Sequence, residues 1–180
     1  MKKSKEENVT AHTDTSHEIV AAAYHEAGHA AAAVWFGLQL ERVELTPDHP
    51  VHAGYCQEKV DDPDALSLAI ELGEEDVIRP QIQILLAGGM AQQKGGFGHV
   101  PGSDHHDLEV ALKMATRMVR CASGAAVLLD HLRAEARALL DRAVVWAGVE
   151  ALAHELLKKG RVWGDEAHRI LAGGGPVEVY

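Results

Sequence analysis

Aromatic side chains are scarce in this chain of 180 residues: Phe, Trp and Tyr make up 4% of it. The hydrophobic share is an ordinary 47%, with alanine and leucine dominant, so the core is expected to consist of closely packed helices. Cysteine is also scarce. Cys56 and Cys121 stand far apart, which implies no disulfide framework and reads as two reduced, partly buried thiols. Positive charge is in deficit: 17 basic residues against 27 acidic ones leave a net charge of −10. That balance argues against nucleic acid or an anionic membrane as the main partner. The polar N-terminus, "MKKSKEENVTAHTDTSH", lacks the apolar core of a signal peptide. Residues 1–16 are expected to form a disordered arm. Residues 19–38 have the length of a bilayer span, but His25, Glu26 and His29 would then sit at mid-bilayer at high cost. A soluble, cytoplasmic protein is expected. No internal repeat or interdomain linker stands out, and the length suits one domain.

The pattern along the chain is mainly helical. A first helix is expected to start near Thr15 or Ser16, with Thr15 and Glu18 as a capping box, and to end at Gly37. "ERVELTP", 41–47, alternates as a strand does, and "HAGYCQEKV", 52–60, can pair with it. "DDPDALS" reads as turn chemistry. A stripe of Val77, Ile78, Ile82, Leu85, Leu86 and Met90 marks a helix over 74–94, with Pro80 tolerated if it falls in the first turn. A glycine-rich loop spans 95–106. Further helices fit 105–122, 125–142, 144–159 and 163–171, the last with Asp165 as N-cap. The tail from 173 to 180 is expected to be loose.

"HEAGH", 25–29, sits inside the alanine-rich stretch "AAAYHEAGHAAAAVWFG". On a helix His25 and His29 share one face, a turn apart, and both imidazoles can reach one zinc ion. Glu26 flanks the same opening and can act as general base on a water. With twelve histidines in the chain, the pattern alone is suggestive rather than decisive, and a pair of hydrogen-bonded helix histidines remains the alternative. The alanine surround favours the metal, because buried histidines and a glutamate need partners. A zinc hydrolase usually has three protein ligands. "GSDHHDLEVA", 102–111, offers Asp104, His105, His106 and Asp107. Asp104 also reads as a helix N-cap and Asp107 as the third residue of a capping box.

Three segments in order resemble the peptidase domain of the FtsH family of ATP-dependent zinc metalloproteases: "YHEAGHA", "ILLAGGMAQQKGGFG" at 84–98 and "GSDHHDLEVALKMATRMV" at 102–119. The resemblance runs from about Ser16 to Ala172, so an FtsH-like zinc peptidase domain is expected over 17–172. It implies a mainly α fold with a small β-sheet beside the active site. It implies a metalloendopeptidase with His25, His29 and Asp107 as zinc ligands and Glu26 as the catalytic residue. One extra residue before Asp107 leaves Asp104 as the alternative ligand. His105 or His106 would then be loop or first-turn residues, or a hydrogen-bond donor to a developing oxyanion. "HAGYC" resembles the family's strand beside the cleft, which makes Gly54 and Tyr55 candidate substrate-binding residues for an extended peptide or unfolded protein.

The chain departs from that family in several ways. It contains no G-x-x-x-x-G-K-[ST] phosphate loop and no transmembrane segment before the domain, so no ATPase activity of its own is expected. A separate ATPase acting in trans and a homo-oligomer both stay open. Gln92 and Gln93 stand where the family usually has glutamates, which can alter the support of the metal. The stretch after "RMVRCASG" is short. Two other readings follow: a non-catalytic zinc-binding or partner-binding module derived from such a peptidase, and a zinc hydrolase of a non-peptide amide.

Overall fold

The first helix, α1 (Glu6–Trp35), forms the spine of the fold because its buried face is almost all alanine. Ala21, Ala23, Ala27, Ala30, Ala32 and Ala33 are all buried. Small side chains let neighbouring helices approach the backbone. In a computed structural model, which describes residues 6–46, 53–98 and 105–173, α3 (Glu75–Lys94) and α6 (Ala143–Lys159) both pack along α1. The approach is tightest at Gly28, where a Cβ atom would lie 2.5 Å from the Ala91 Cβ and 2.7 Å from the Ala87 carbonyl oxygen.

The remaining elements are β1 (Leu40–Leu45), β2 (Gly54–Glu58), α2 (Pro63–Leu72), α4 (His105–Val119), α5 (Ala122–Leu140), β3 (Arg161–Trp163) and α7 (Gly164–Leu171). The strands form one antiparallel sheet in the order β2-β1-β3, with Val43 of β1 opposite both Cys56 and Val162. Leu40, Val43 and Leu45 turn inward on β1. They join α1, α6 and α7 in one apolar core. A second core lies between α3, α4 and α5, around Ile78, Ile82, Ala111, Leu129 and Leu132. Since α3 contributes to both, it ties the two cores together. The architecture is mainly α with a small sheet, as the sequence implies.

Several boundaries differ from expectation. The first helix begins at Glu6 rather than near Thr15, so residues 6–16 are helical and the expected disordered arm is corrected over that stretch. A Thr-x-x-Glu signal starts a helix only where the preceding residues leave it, and no proline or glycine stands between Glu6 and Thr15. The expected turn after residue 60 holds the helix α2. Asp62 accepts a hydrogen bond from the Ala65 N–H at 3.0 Å, Pro63 takes the first helical position, and Gly73 closes the helix at φ 79°. The proline that looked like punctuation is therefore a starter. Pro80 falls in the second turn of α3, not the first, where it forgoes a backbone bond to the Asp76 carbonyl. The short strand β3 was not anticipated. At the last helix Asp165 lies in the first turn and Trp163 holds the cap position. Cys121 is exposed while Cys56 is half-buried, and both are free. The expected tail lies outside the described residues from 174 onward. Among the described residues, no helix is long and apolar enough to cross a membrane.

The contact at Gly28 leads to a test. Alanine is the better helix former by about 1 kcal/mol, but its methyl would be driven against the Ala87 carbonyl, which has no rotamer with which to yield. Gly28→Ala should therefore lower stability by roughly 1–3 kcal/mol, read as a lower urea midpoint. A variant more stable than the parent would show that α1 and α3 are not in close contact.

Candidate metal centre

Helical spacing puts His25 and His29 on one face of α1, with ring centroids 4.6 Å apart and the planes at 79°. Asp107, the third residue of α4, meets them from across the chain. Its Oδ2 lies 3.0 Å from His25 Nε2 and 3.3 Å from His29 Nε2. One donor atom from each of the three lies within 4.8 Å of the others. Tetrahedral coordination at zinc–ligand lengths of about 2.0–2.1 Å separates neighbouring donors by about 3.3 Å. The three side chains thus fit a metal ion by type and by spacing. Two imidazole nitrogens and a carboxylate oxygen this close together need a proton or a cation among them.

The surrounding residues orient this set. His29 Nδ1 donates to the Ile84 carbonyl at 2.8 Å, which leaves Nε2 as the atom aimed at the site. His25 Nδ1 is buried and has no hydrogen-bond partner among the described residues. On the facing helix, a Cβ at Gly88 would lie 2.4 Å from His29 Nε2 and 2.9 Å from His25 Nε2. Only glycine leaves room for both rings there. Gly88 lies in the segment "ILLAGGMAQQKGGFG", but nothing in the sequence marks its role at the site, and the Ile84 carbonyl, a backbone group, leaves no residue-type signal.

Glu26 is buried beside the two histidines, at 6% exposure. Burial raises its pKa; His29 and His25 oppose that, and Asp107 adds to it. Gly54 of β2 lies over Glu26, and a Cβ there would come within 2.7 Å of Glu26 Cγ and 3.1 Å of Oε1. Tyr55 is placed differently. Its hydroxyl donates to Glu44, and Arg42 lies over its ring at 5.2 Å. The structure thus brings Gly54 to Glu26 and sends Tyr55 to the other face of the sheet. Cys56 is held as a neutral thiol: burial pushes its pKa well up, and Glu26 and Glu58 push it further.

His105 and His106 open α4 and are both exposed. Asp104 lies outside the described residues. Gln92 is almost fully buried, and its amide Nε2 donates to the Gly98 carbonyl at 2.9 Å. It therefore fastens the turn after α3, whereas Gln93 is exposed.

Without a metal, burial favours neutral His29. Its hydrogen bond to Asp107 and the charges of Asp107 and Glu26, with the Ile84 carbonyl, outweigh burial and push it up to about 9. Burial likewise acts to raise Asp107, but hydrogen bonds from His25 and His29 hold its carboxyl well below the usual range. A proton on His29 supplies the positive charge that the donor set requires.

Two predictions follow from this geometry. Asp107→Ala should abolish stoichiometric zinc uptake measured by elemental analysis, while Asp104→Ala should leave it nearly intact; the reverse order would reassign the third ligand. The second concerns pH. A histidine raised from 6.5 to about 9 stabilises the metal-free fold fully below 6.5, and that stabilisation is lost as pH rises through about 9. Glu26, also raised, acts in the same direction. Asp107 contributes above its ordinary 3.8 and loses its contribution only in acid. The melting temperature of metal-free protein should therefore fall between about pH 6.5 and pH 9. Zinc-loaded protein should not show this fall, because raising the pH removes the protons that compete for the ligands. A metal-free melting temperature that is flat over this range would contradict the assignment. No family model matches the chain and no curated protein matches it, so the geometry of the site carries its functional reading.

Proposed function

We propose that the chain is a zinc-dependent metallopeptidase that hydrolyses peptide bonds in peptides or unfolded proteins, similar to the peptidase domain of the FtsH family. The observation that carries this reading is the convergence of His25, His29 and Asp107 on one point, with Glu26 buried beside them. His25, His29 and Asp107 would hold the metal. Zinc at such a site supplies Lewis acidity and lowers the pKa of water. Glu26, whose proton affinity is raised by burial, is suited to take a proton from water and pass it to the leaving amine. Gly54 lets β2 run against Glu26. As the terminal strand of β2-β1-β3, β2 offers an edge to which an extended polypeptide can add by main-chain hydrogen bonds. Such pairing gives affinity with little sequence preference. An acidic chain with two free cysteines fits the cytoplasm. Delivery of unfolded substrate by a separate ATPase and assembly into a homo-oligomer are compatible with this reading.

The test combines elemental analysis with cleavage of unfolded casein and of a peptide library. Wild-type protein should bind one zinc per chain and cleave. Glu26→Gln should keep the zinc and lose cleavage by about a hundredfold or more. Stoichiometric zinc with no cleavage in either protein would assign the site to a non-catalytic zinc-binding module. Equal cleavage by both would point to a contaminant.

A further inference from the structure

On α3, the side next to Gly88 faces a groove of about 210 Å³ between α3, α4 and α5. Its floor is aliphatic, from Leu85, Leu86, Met90 and Leu108. Leu86 is buried, Leu85 and Met90 are half-buried, and Leu108 is exposed. Arg133 and Arg137 of α5, one helical turn apart, form a rim on one side. The groove adjoins the metal centre through the chain itself. Leu85 follows Ile84, whose carbonyl holds His29, and Leu108 follows Asp107.

The chemistry of this groove narrows its occupant. Its volume lies below the range of about 300–1,000 Å³ typical of whole small-molecule ligands, so it suits one or two side chains. Among the described residues its lining offers no aromatic ring for a base to stack on. The rim is basic in a chain of net charge −10. Arg133 is shared with Asp130 at 2.8 Å. Arg137 makes no ion pair among the described residues, and Asp141, one turn on, is taken by Lys94 at 2.6 Å. An unpaired guanidinium beside an aliphatic floor is complementary to a carboxylate next to a large aliphatic side chain.

We propose that this groove docks an acidic–aliphatic polypeptide segment, one in which Glu or Asp stands beside Leu, Ile or Met. The aliphatic side chain covers Leu85, Met90 and Leu108, and the carboxylate pairs with Arg137 and the free side of Arg133. In so far as that segment belongs to the substrate, the inference rests on the proposed peptidase reading; the binding itself does not. The groove would add a side-chain preference to the sequence-tolerant pairing at β2.

The experiment uses three fluorescein-labelled peptides, one with alternating Leu and Glu, a second with Gln in place of every Glu and a third with Lys there. Anisotropy is measured on the zinc-loaded full chain carrying Glu26→Gln, so that nothing is cut. The Leu-Glu peptide should bind about tenfold more tightly than its Leu-Gln counterpart, and the gap should narrow with added salt. Adding Arg133→Gln and Arg137→Gln should reduce it to less than about twofold. Both arginines lie at the surface, and an unchanged melting temperature checks that the variant is folded. As a second arm, Arg137→Glu should favour a Leu-Lys peptide. Equal binding of the first two peptides, or a gap that survives the loss of both arginines, would overturn the groove. Wild-type protein that prefers the acidic peptide but cuts none would keep the groove and remove the peptidase reading. Cleavage with no acidic preference would do the opposite.

Discussion

The near-contact of α1 with α3 is the constraint on which the rest of the molecule depends. Alanine buries little apolar area, so a helix faced with it gains stability only if its neighbour comes very close. Gly28 on α1 and Gly88 on α3 remove the last obstacles. The same approach brings the Ile84 carbonyl within 2.8 Å of His29 Nδ1. Packing therefore selects the tautomer of the ring. Were α3 farther away, His29 would lose its orienting partner and α4, which packs on α3, would carry Asp107 away with it. The convergence of His25, His29 and Asp107 is a consequence of helix packing rather than something added to it.

The electrostatics of the site separate its two carboxylates. Asp107 faces two imidazoles and is held ionised, while Glu26 is raised by burial and by Asp107. Groups whose environments push them apart in this way take different roles. The carboxyl that stays charged is suited to hold a cation. The one that binds a proton more readily is suited to carry protons. Neither suitability relies on sequence order.

Much of this was legible in the sequence, for identifiable reasons. The stripes on α3 and α4 show because long amphipathic helices repeat their apolar residues several times. α2 and β3 are too short for periodicity to speak, and in α2 Pro63 imitates a break while serving as a start. His25, His29 and Glu26 stand close together within one helix, so their type and spacing expose them. By residue type alone Asp107 was one candidate among four neighbours, singled out only by the family resemblance, since choosing between them on physical grounds requires knowing which way α4 turns. Gly88 was not identified as part of the site, because the role of a glycine is set by what lies opposite, here rings 59 and 63 positions earlier in the chain. The Arg133–Arg137 pair belongs to α5, far from the motif in sequence, and only the fold brings it near Leu108.

The same logic bears on the two glutamines that set the chain apart from the FtsH pattern. A glutamate in place of Gln92 would bring a carboxylate, which only accepts, against the Gly98 carbonyl, which also only accepts. The amide supplies the donor that this turn requires, at 2.9 Å. Gln93 is exposed and lies on the wall of the groove rather than at the histidines. Neither side chain supports a ring nitrogen or the Asp107 carboxylate by any hydrogen bond among the described residues. The amide of Gln92 thus answers to the loop that follows α3, and it does not weaken the case for a metal held by His25, His29 and Asp107. Gln93, a neutral amide on the groove wall, puts no carboxylate beside Arg133 and Arg137, which leaves that rim basic and favours an acidic segment in the groove.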